Sequence, residues 1–235
     1  MKARTFRILL LILVWQACSQ SSEAFLQKAK ELMQAQQYEQ ALDFANKAIE
    51  KDESNAELFN LRGVIYFELK KYPNALLDYE RAISLNTKDY RPYFNRAELH
   101  RTQGRAAEAL RDYDQAVLLS PNTADLYLNR GVLHYEQKSL EAAKKDFSKA
   151  FQLNPKDKNA LFNRANIAME EAQYESAAHD FEKAIKIDDE FGKAFMGLGL
   201  AALAMEQKEQ ACQALRRADK LGVRNAKIYL QQNCP

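Results

Sequence analysis

The sequence predicts an all-α protein built from helix pairs that recur along the chain, and two observations carry this prediction. The 235 residues include only 7 Gly and 5 Pro, where average usage gives roughly 16 and 12. Because β-rich and α/β folds use Gly at their turns, the deficit disfavours both, and the 35 Ala residues favour closely packed helices. The second observation is a pattern with a period of 34 residues, which indicates where each helix pair lies.

Small residues recur at three positions of the 34-residue period, which starts at Ser22 and continues six times without a gap. Positions 20 and 27 are Ala in every copy, and position 8 alternates between Ala and Gly. Large residues, mostly aromatic, occupy position 4 in every copy and position 24 in every copy except the first, which has Ala45 there. Small side chains allow two helix backbones to approach, and large ones fill the space beside them. Position 8 holds Ala29, Gly63, Ala97, Gly131, Ala165 and Gly199.

This pattern resembles the tetratricopeptide repeat, in which two antiparallel helices are joined by a short turn. Pro121 and Pro155 at position 32 agree with the resemblance, because Pro stops a helix. The resemblance implies an all-α, right-handed α-solenoid of six repeats. We expect the repeats at 22–55, 56–89, 90–123, 124–157, 158–191 and 192–225, followed by a capping helix and tail at 226–235.

Two charged positions change together along the array. Position 7 is Arg and position 23 is Asp in repeats two to five, whereas repeats one and six lack both. Pairing within a repeat leaves no partner missing, so we predict four ion pairs with a structural role. The expected pairs are Arg62 with Asp78, Arg96 with Asp112, Arg130 with Asp146, and Arg164 with Asp180.

Residues 1–17 have the organisation of a signal peptide. Three basic residues and no acid occupy the start, and an apolar run from Ile8 to Trp15 follows. This run is shorter than the roughly 20 residues that a membrane-spanning helix needs. A positive start followed by a short apolar run is typical of secretion signals, so we expect this segment to be removed.

The end of that segment resembles a lipoprotein processing site. Trp15-Gln16-Ala17-Cys18 is similar to the lipobox of bacterial lipoproteins, which implies that Cys18 is lipidated and that 18–21 form a short tether. Ser19 resembles the sorting signal of outer-membrane lipoproteins. We therefore expect an envelope lipoprotein, in the outer membrane and facing the periplasm or the cell surface. Plain secretion and an uncleaved anchor are the alternatives.

Two further cysteines lie near the C-terminus. Cys212 falls in the last second helix, and Cys234 follows the expected capping helix. In an oxidising compartment such a pair can form a disulfide, which would fasten the cap. Two unpaired thiols are the other reading of the same residues.

The first helices of tetratricopeptide repeats line a concave groove, and this resemblance implies where a ligand binds. Position 6 holds Asn95, Asn129 and Asn163, whose amides can each donate to and accept from a peptide backbone. They resemble the asparagine ladder of O-linked N-acetylglucosamine transferases; solvated groove residues are the plainer alternative. The remaining expected groove residues are Asn60, Phe94, Arg101, Tyr135, Phe162 and Asn166.

Composition and motifs also exclude several functions. The formal net charge is only +2 and falls to about −1 without the three basic residues of the signal peptide, so no nucleic-acid partner is expected. The sequence contains no metal-ligand cluster, phosphate-binding loop or nucleophile elbow, so we expect no metal, no cofactor and no enzyme activity. We expect a protein-binding adaptor for extended segments of envelope proteins. The alternative is a subunit that captures glycans or oligopeptides for uptake across the envelope.

Overall fold

The structure, a computed structural model, describes residues 21–234. Within this range the chain forms 13 α-helices and no strand, so the predicted fold class, an all-α helical repeat, is confirmed. The helices are α1 (Ser22–Gln34), α2 (Tyr38–Lys51), α3 (Ala56–Glu68), α4 (Tyr72–Leu85), α5 (Tyr90–Thr102), α6 (Ala106–Leu119), α7 (Ala124–Glu136), α8 (Leu140–Leu153), α9 (Lys158–Glu170), α10 (Tyr174–Ile187), α11 (Gly192–Ala204), α12 (Lys208–Lys220) and α13 (Ala226–Asn233).

The turns that end the first helix of each repeat share one backbone feature. The middle residue of each three-residue turn has a positive φ, between 56° and 72°. A left-handed residue at this place ends a helix and satisfies its last carbonyl groups. Glycine adopts this conformation without steric cost, and only the third repeat uses it. The residues are Gln36, Lys70, Gly104, Lys138, Ala172 and Glu206.

Several first helices begin at a residue that caps the backbone. The side chains of Asn55, Asp89 and Asp157 each accept a hydrogen bond from the backbone N–H two residues later. Such caps satisfy an N–H group that has no partner within the helix. The longer turns between repeats therefore determine where α3, α5 and α9 start.

The chain divides into two compact units, Met1–Arg105 and Ala106–Pro235. In the described part of the first unit, α1 packs on α2, α3 packs on α4, and α2 and α4 pack on the helices that follow them. The small side chains of Ala41 and Ala75 are completely buried between the helices. A Cβ atom on Gly63 would lie 2.6 Å from the Tyr79 ring, so the two helices are in close contact there.

The second unit repeats this packing. Helix α7 packs on α8, α9 on α10, and α11 on α12, with large buried side chains over small ones. A Cβ atom on Gly131 would lie 2.8 Å from the Phe147 ring. The same pairing places Gly199 against Leu215.

The last helix, α13, packs against α12 at the C-terminal end of the array. Ala226 at its start is fully buried, whereas Ile228 is exposed. A short terminal helix of this kind covers apolar surface that another repeat would otherwise bury.

Candidate functional site

Two of the expected groove residues of the first unit are bonded to each other. Asn60 on α3 and Asn95 on α5 are half-buried, and the Asn95 amide donates to Oδ1 of Asn60 at 2.8 Å. Phe94 is also half-buried, and the guanidinium of Arg101 donates to Glu98 at 3.0 Å. The Asn60 and Asn95 amides therefore use hydrogen-bonding capacity within the protein.

Charged side chains in the first unit form a second set of contacts between first helices. Lys30 on α1 lies 2.8 Å from Glu57 on α3, and Arg91 on α5 lies 3.9 Å from the same carboxylate. Arg91 also donates to Asp89. Burial raises the pKa of Asp89, but the hydrogen bonds from Arg91 outweigh it, so the pKa is lowered overall.

The asparagines of the second unit differ from one another. The Asn129 amide donates to the backbone oxygen of Asp125, one turn earlier in its own helix, at 2.8 Å. Asn163 and Asn166 on α9 are half-buried. Within residues 21–234 their side-chain amides make no hydrogen bond, so both can bond an incoming group.

Tyr135, another expected groove residue, joins two neighbouring first helices. Its hydroxyl donates a hydrogen bond to the carboxylate of Glu170, and Lys138 lies 3.5 Å from the same carboxylate. The hydrogen bond to Glu170 raises the pKa of Tyr135 to about 12, and it lowers the pKa of Glu170. Tyr135 therefore holds α7 to α9.

Phe162, also expected in the groove, belongs to an aromatic cluster. Its ring centroid lies 5.8 Å from that of Phe181 and 5.2 Å from that of Phe191, in tilted arrangements. A Cβ atom on Gly197, at position 6 of the sixth repeat, would overlap the Phe181 ring. The position that carries Asn in three earlier repeats therefore cannot carry it here without moving this ring.

The structure brings together three of the four expected Arg–Asp pairs. In each, the Arg Nε and Nη2 atoms donate to the two carboxylate oxygens at 2.6–2.8 Å, and the Asp side chain is only 5–7% exposed. These hydrogen bonds raise the pKa of each Arg. The pairs are Arg62 with Asp78, Arg130 with Asp146, and Arg164 with Asp180; the pairing of Arg96 with Asp112 stays a prediction.

The remaining guanidinium nitrogen makes a contact that the sequence reasoning missed. Nη1 of each Arg donates to a side chain at position 25 of the preceding repeat, at 2.8–3.1 Å. Each Arg thus joins its own helix pair to the previous one. The acceptors are Asn46 for Arg62, Asp114 for Arg130, and Ser148 for Arg164. A search for short polar side chains one repeat earlier would have found them.

The two C-terminal cysteines are joined in the structure. A disulfide connects Cys212 on α12 with Cys234 after α13, with the Cα atoms 5.7 Å apart. This bond ties the end of the cap to the last repeat. The expected lipidation site at Cys18 and the expected signal peptide at 1–17 lie outside the described residues.

Between residues 21 and 234, no helix has the length and apolar character that crossing a membrane would need. The same range contains no group of three or more His, Cys, Asp or Glu residues that could hold a metal ion.

Sequence profiles of the tetratricopeptide repeat match several stretches of the chain. They match residues 56–89 and 124–157, and related profiles match 98–138 and 159–191, which together exceed half of the sequence. Human and rat serine/threonine-protein phosphatase 5 are each 33% identical over 84 residues. That match spans 36% of this chain and only 17% of either phosphatase.

Solved structures of similar fold cover most of the chain. PilF of Pseudomonas aeruginosa is 20% identical, with a TM-score of 0.79 over 90% of this chain and 96% of PilF. PilW, a type IV pilus biogenesis factor, is 22% identical, with a TM-score of 0.76 over 91% of this chain and all of PilW. YrrB, described as having an unusual peptide-binding site, is 19% identical, with a TM-score of 0.68 over 80% of this chain and 97% of YrrB. The chain belongs to the tetratricopeptide-repeat family.

Proposed function

We propose that this protein is a non-catalytic adaptor that binds extended segments of other proteins on the first helices of its repeats. The observation that carries the proposal is the set of half-buried asparagines at position 6, whose amides match the donors and acceptors of a peptide backbone. Repeats of this family mediate protein–protein interaction, which supports the same conclusion.

We further propose that the adaptor works at a membrane surface of the bacterial envelope. Support comes from the sequence around Cys18, which resembles a lipoprotein processing site. Only three residues separate Cys18 from α1, and with Cys18 itself a tether of this length spans at most about 14 Å. A lipid on Cys18 would therefore confine the repeats to partners in or near the same membrane.

An adaptor held at a membrane surface would help to assemble or localise a complex of the envelope. PilW is described as a type IV pilus biogenesis factor and shares the fold over nearly the whole chain. Pilus assembly is therefore the first system in which we would look for a partner.

A crosslinking pull-down from membranes tests the binding role. Wild-type protein is compared with the Asn95/Asn129/Asn163→Ala variant, with circular dichroism to verify that both are folded. We expect specific partners to be lost with the variant. Unchanged partners would exclude the asparagines as the binding surface, and capture of glycans without any protein would favour the uptake function instead.

Metabolic labelling with a clickable fatty acid tests the anchor. We expect the wild-type protein to be labelled and to sediment with membranes, and the Cys18→Ser variant to lose both properties. A labelled Cys18→Ser variant, or an unlabelled wild-type protein, would refute lipidation at this residue.

A further inference from the structure

The two units differ in the hydrogen bonds that the polar side chains of their first helices make. In the first unit, Asn60 and Asn95 bond each other, and Glu57 contacts both Lys30 and Arg91. In the second unit, the amides of Asn163 and Asn166 make no hydrogen bond within the described residues. Neither side chain has a buried polar atom that lacks a partner, so both amides reach the surface and can donate to and accept from a ligand.

The charged residues of the same helix are already paired. On α9, Arg164 binds Asp180, Lys158 binds Asp188, and Glu170 binds Tyr135 and Lys138. This helix therefore offers a ligand the neutral amides of its asparagines and apolar side chains, with no unpaired charge.

The neighbouring first helix, α11, is almost uncharged. Lys193 is its only charged residue, and Met196, Leu200 and Leu203 are half-buried. These three follow one another at intervals of four and three residues, so they lie on one face of the helix. Beside Met196 and Leu200, a charged ligand side chain would lose hydration without gaining a partner from this helix.

We propose that the partner binds to the face formed by α9 and α11, and that it is a short, uncharged, extended segment with apolar side chains. This inference rests on the proposed function and locates it in the second unit. Met196 and Leu200 are about 6 Å apart along the helix axis, close to the roughly 6.6 Å between alternate residues of an extended chain. Alternate residues of an extended chain face the same side, so the expected motif is apolar–any–apolar.

The hydrogen-bonding role falls to Asn163 and Asn166. They lie three residues apart on α9, about 4.5 Å along the axis, and each amide can both donate to and accept from the backbone of the segment. Backbone bonding by these amides sets the direction of the chain, and the apolar face of α11 selects its side chains.

Selection from a random 12-residue peptide library, displayed on phage with the full 235-residue chain as bait, tests the proposal. We expect enriched peptides to share the apolar–any–apolar motif and to contain few charged residues. One enriched peptide, labelled with fluorescein, is then measured by fluorescence anisotropy against a series of variants.

Two variants alter the proposed binding face, and a leucine-to-aspartate variant elsewhere serves as the control. Asn163→Ala/Asn166→Ala is expected to weaken binding about tenfold, since it removes two hydrogen bonds, and Leu200→Asp is expected to weaken it at least as much. The control is Leu77→Asp, because Leu77 is an exposed leucine of the first unit, at 64% exposure. This control is expected to retain wild-type affinity.

The outcomes separate this inference from the adaptor function. Enriched charged peptides, or unchanged binding by both Asn163→Ala/Asn166→Ala and Leu200→Asp, would overturn the location and chemistry while leaving peptide binding intact. A library that yields no binder would count against both. Self-association that Leu200→Asp abolishes, seen in analytical ultracentrifugation, would show that a second copy covers this face and would also overturn the proposal.

Discussion

Replacing Asp180 by Ala removes one partner of a largely buried ion pair. Asp180 accepts hydrogen bonds at 2.6 and 2.7 Å from Nε and Nη2 of Arg164. The Asp180 side chain is 5% exposed, and the Arg164 side chain is 24% exposed. After the substitution, the hydroxyl of Ser148, at 3.1 Å, is the one partner of the Arg164 guanidinium that remains within residues 21–234.

The expected loss of folding stability follows from the burial of this ion pair. Breaking a buried pair by removing one partner costs about 3–5 kcal/mol, because the other charge stays buried. About a quarter of the Arg164 side chain reaches water, so we expect the lower end, about 3 kcal/mol. Replacing both residues by apolar ones, as in Arg164→Met/Asp180→Leu, leaves no buried charge and is expected to cost only about 1 kcal/mol.

A matched comparison uses the pair in the preceding repeat. Arg130 donates to Asp146 and also to Asp114, whose carboxylate lies 2.8 Å from Nη1. Asp146→Ala therefore leaves Arg130 with a second carboxylate, and we expect it to cost about 1 kcal/mol less than Asp180→Ala.

Urea unfolding followed by circular dichroism measures these differences as shifts of the midpoint at an unchanged slope. The reasoning would be refuted if Asp180→Ala cost less than about 1 kcal/mol, the range of an exposed surface pair. It would also fail if the Arg164→Met/Asp180→Leu variant were less stable than Asp180→Ala alone.

Three further expectations concern packing, backbone and pH. Gly131→Ala should lower stability by about 1–2 kcal/mol, because overlap with the Phe147 ring outweighs the gain in helix propensity; thermal unfolding checks this, and an unchanged Tm would contradict it. Ala172→Gly should raise stability by about 1 kcal/mol, because Ala172 has a φ of 56°; a lower urea midpoint would disprove the assignment of strain. Because the folded pKa of Tyr135 is raised from 10.0 to about 12, its contribution to stability is complete below about pH 10 and is lost as the pH rises through about 12. Ultraviolet titration should show this residue ionising near pH 12 in the wild type and closer to pH 10 in Glu170→Gln, and identical titrations would refute the hydrogen bond.

Much of the fold follows from the 34-residue period. The columns of small residues, such as Ala41 and Ala75, are the residues most completely buried between helices. The Arg62–Asp78 contact also follows from sequence, because the two positions change type in the same repeats. Such features are predictable because every repeat meets the same packing requirement.

The candidate site was less predictable. Asn95, Asn129 and Asn163 occupy the same position of the repeat, yet one bonds Asn60, one bonds its own helix, and one makes no hydrogen bond within the described residues. These differences depend on which side chains the neighbouring first helices present, and the 34-residue period does not determine those side chains. Tyr135 likewise bonds Glu170 because position 13 of the following repeat carries a carboxylate.

The contact from each arginine to the preceding repeat gives the array a polarity. Arg130 and Arg164 each need an acceptor at position 25 of the copy before them, which Asp114 and Ser148 supply. A repeat moved by recombination or design therefore brings its own Arg–Asp pair but depends on its new upstream neighbour for the third bond. Duplications that keep the original order preserve this match. Shuffled arrays lose this bond, worth about 1 kcal/mol, wherever no short polar side chain precedes an arginine-bearing copy.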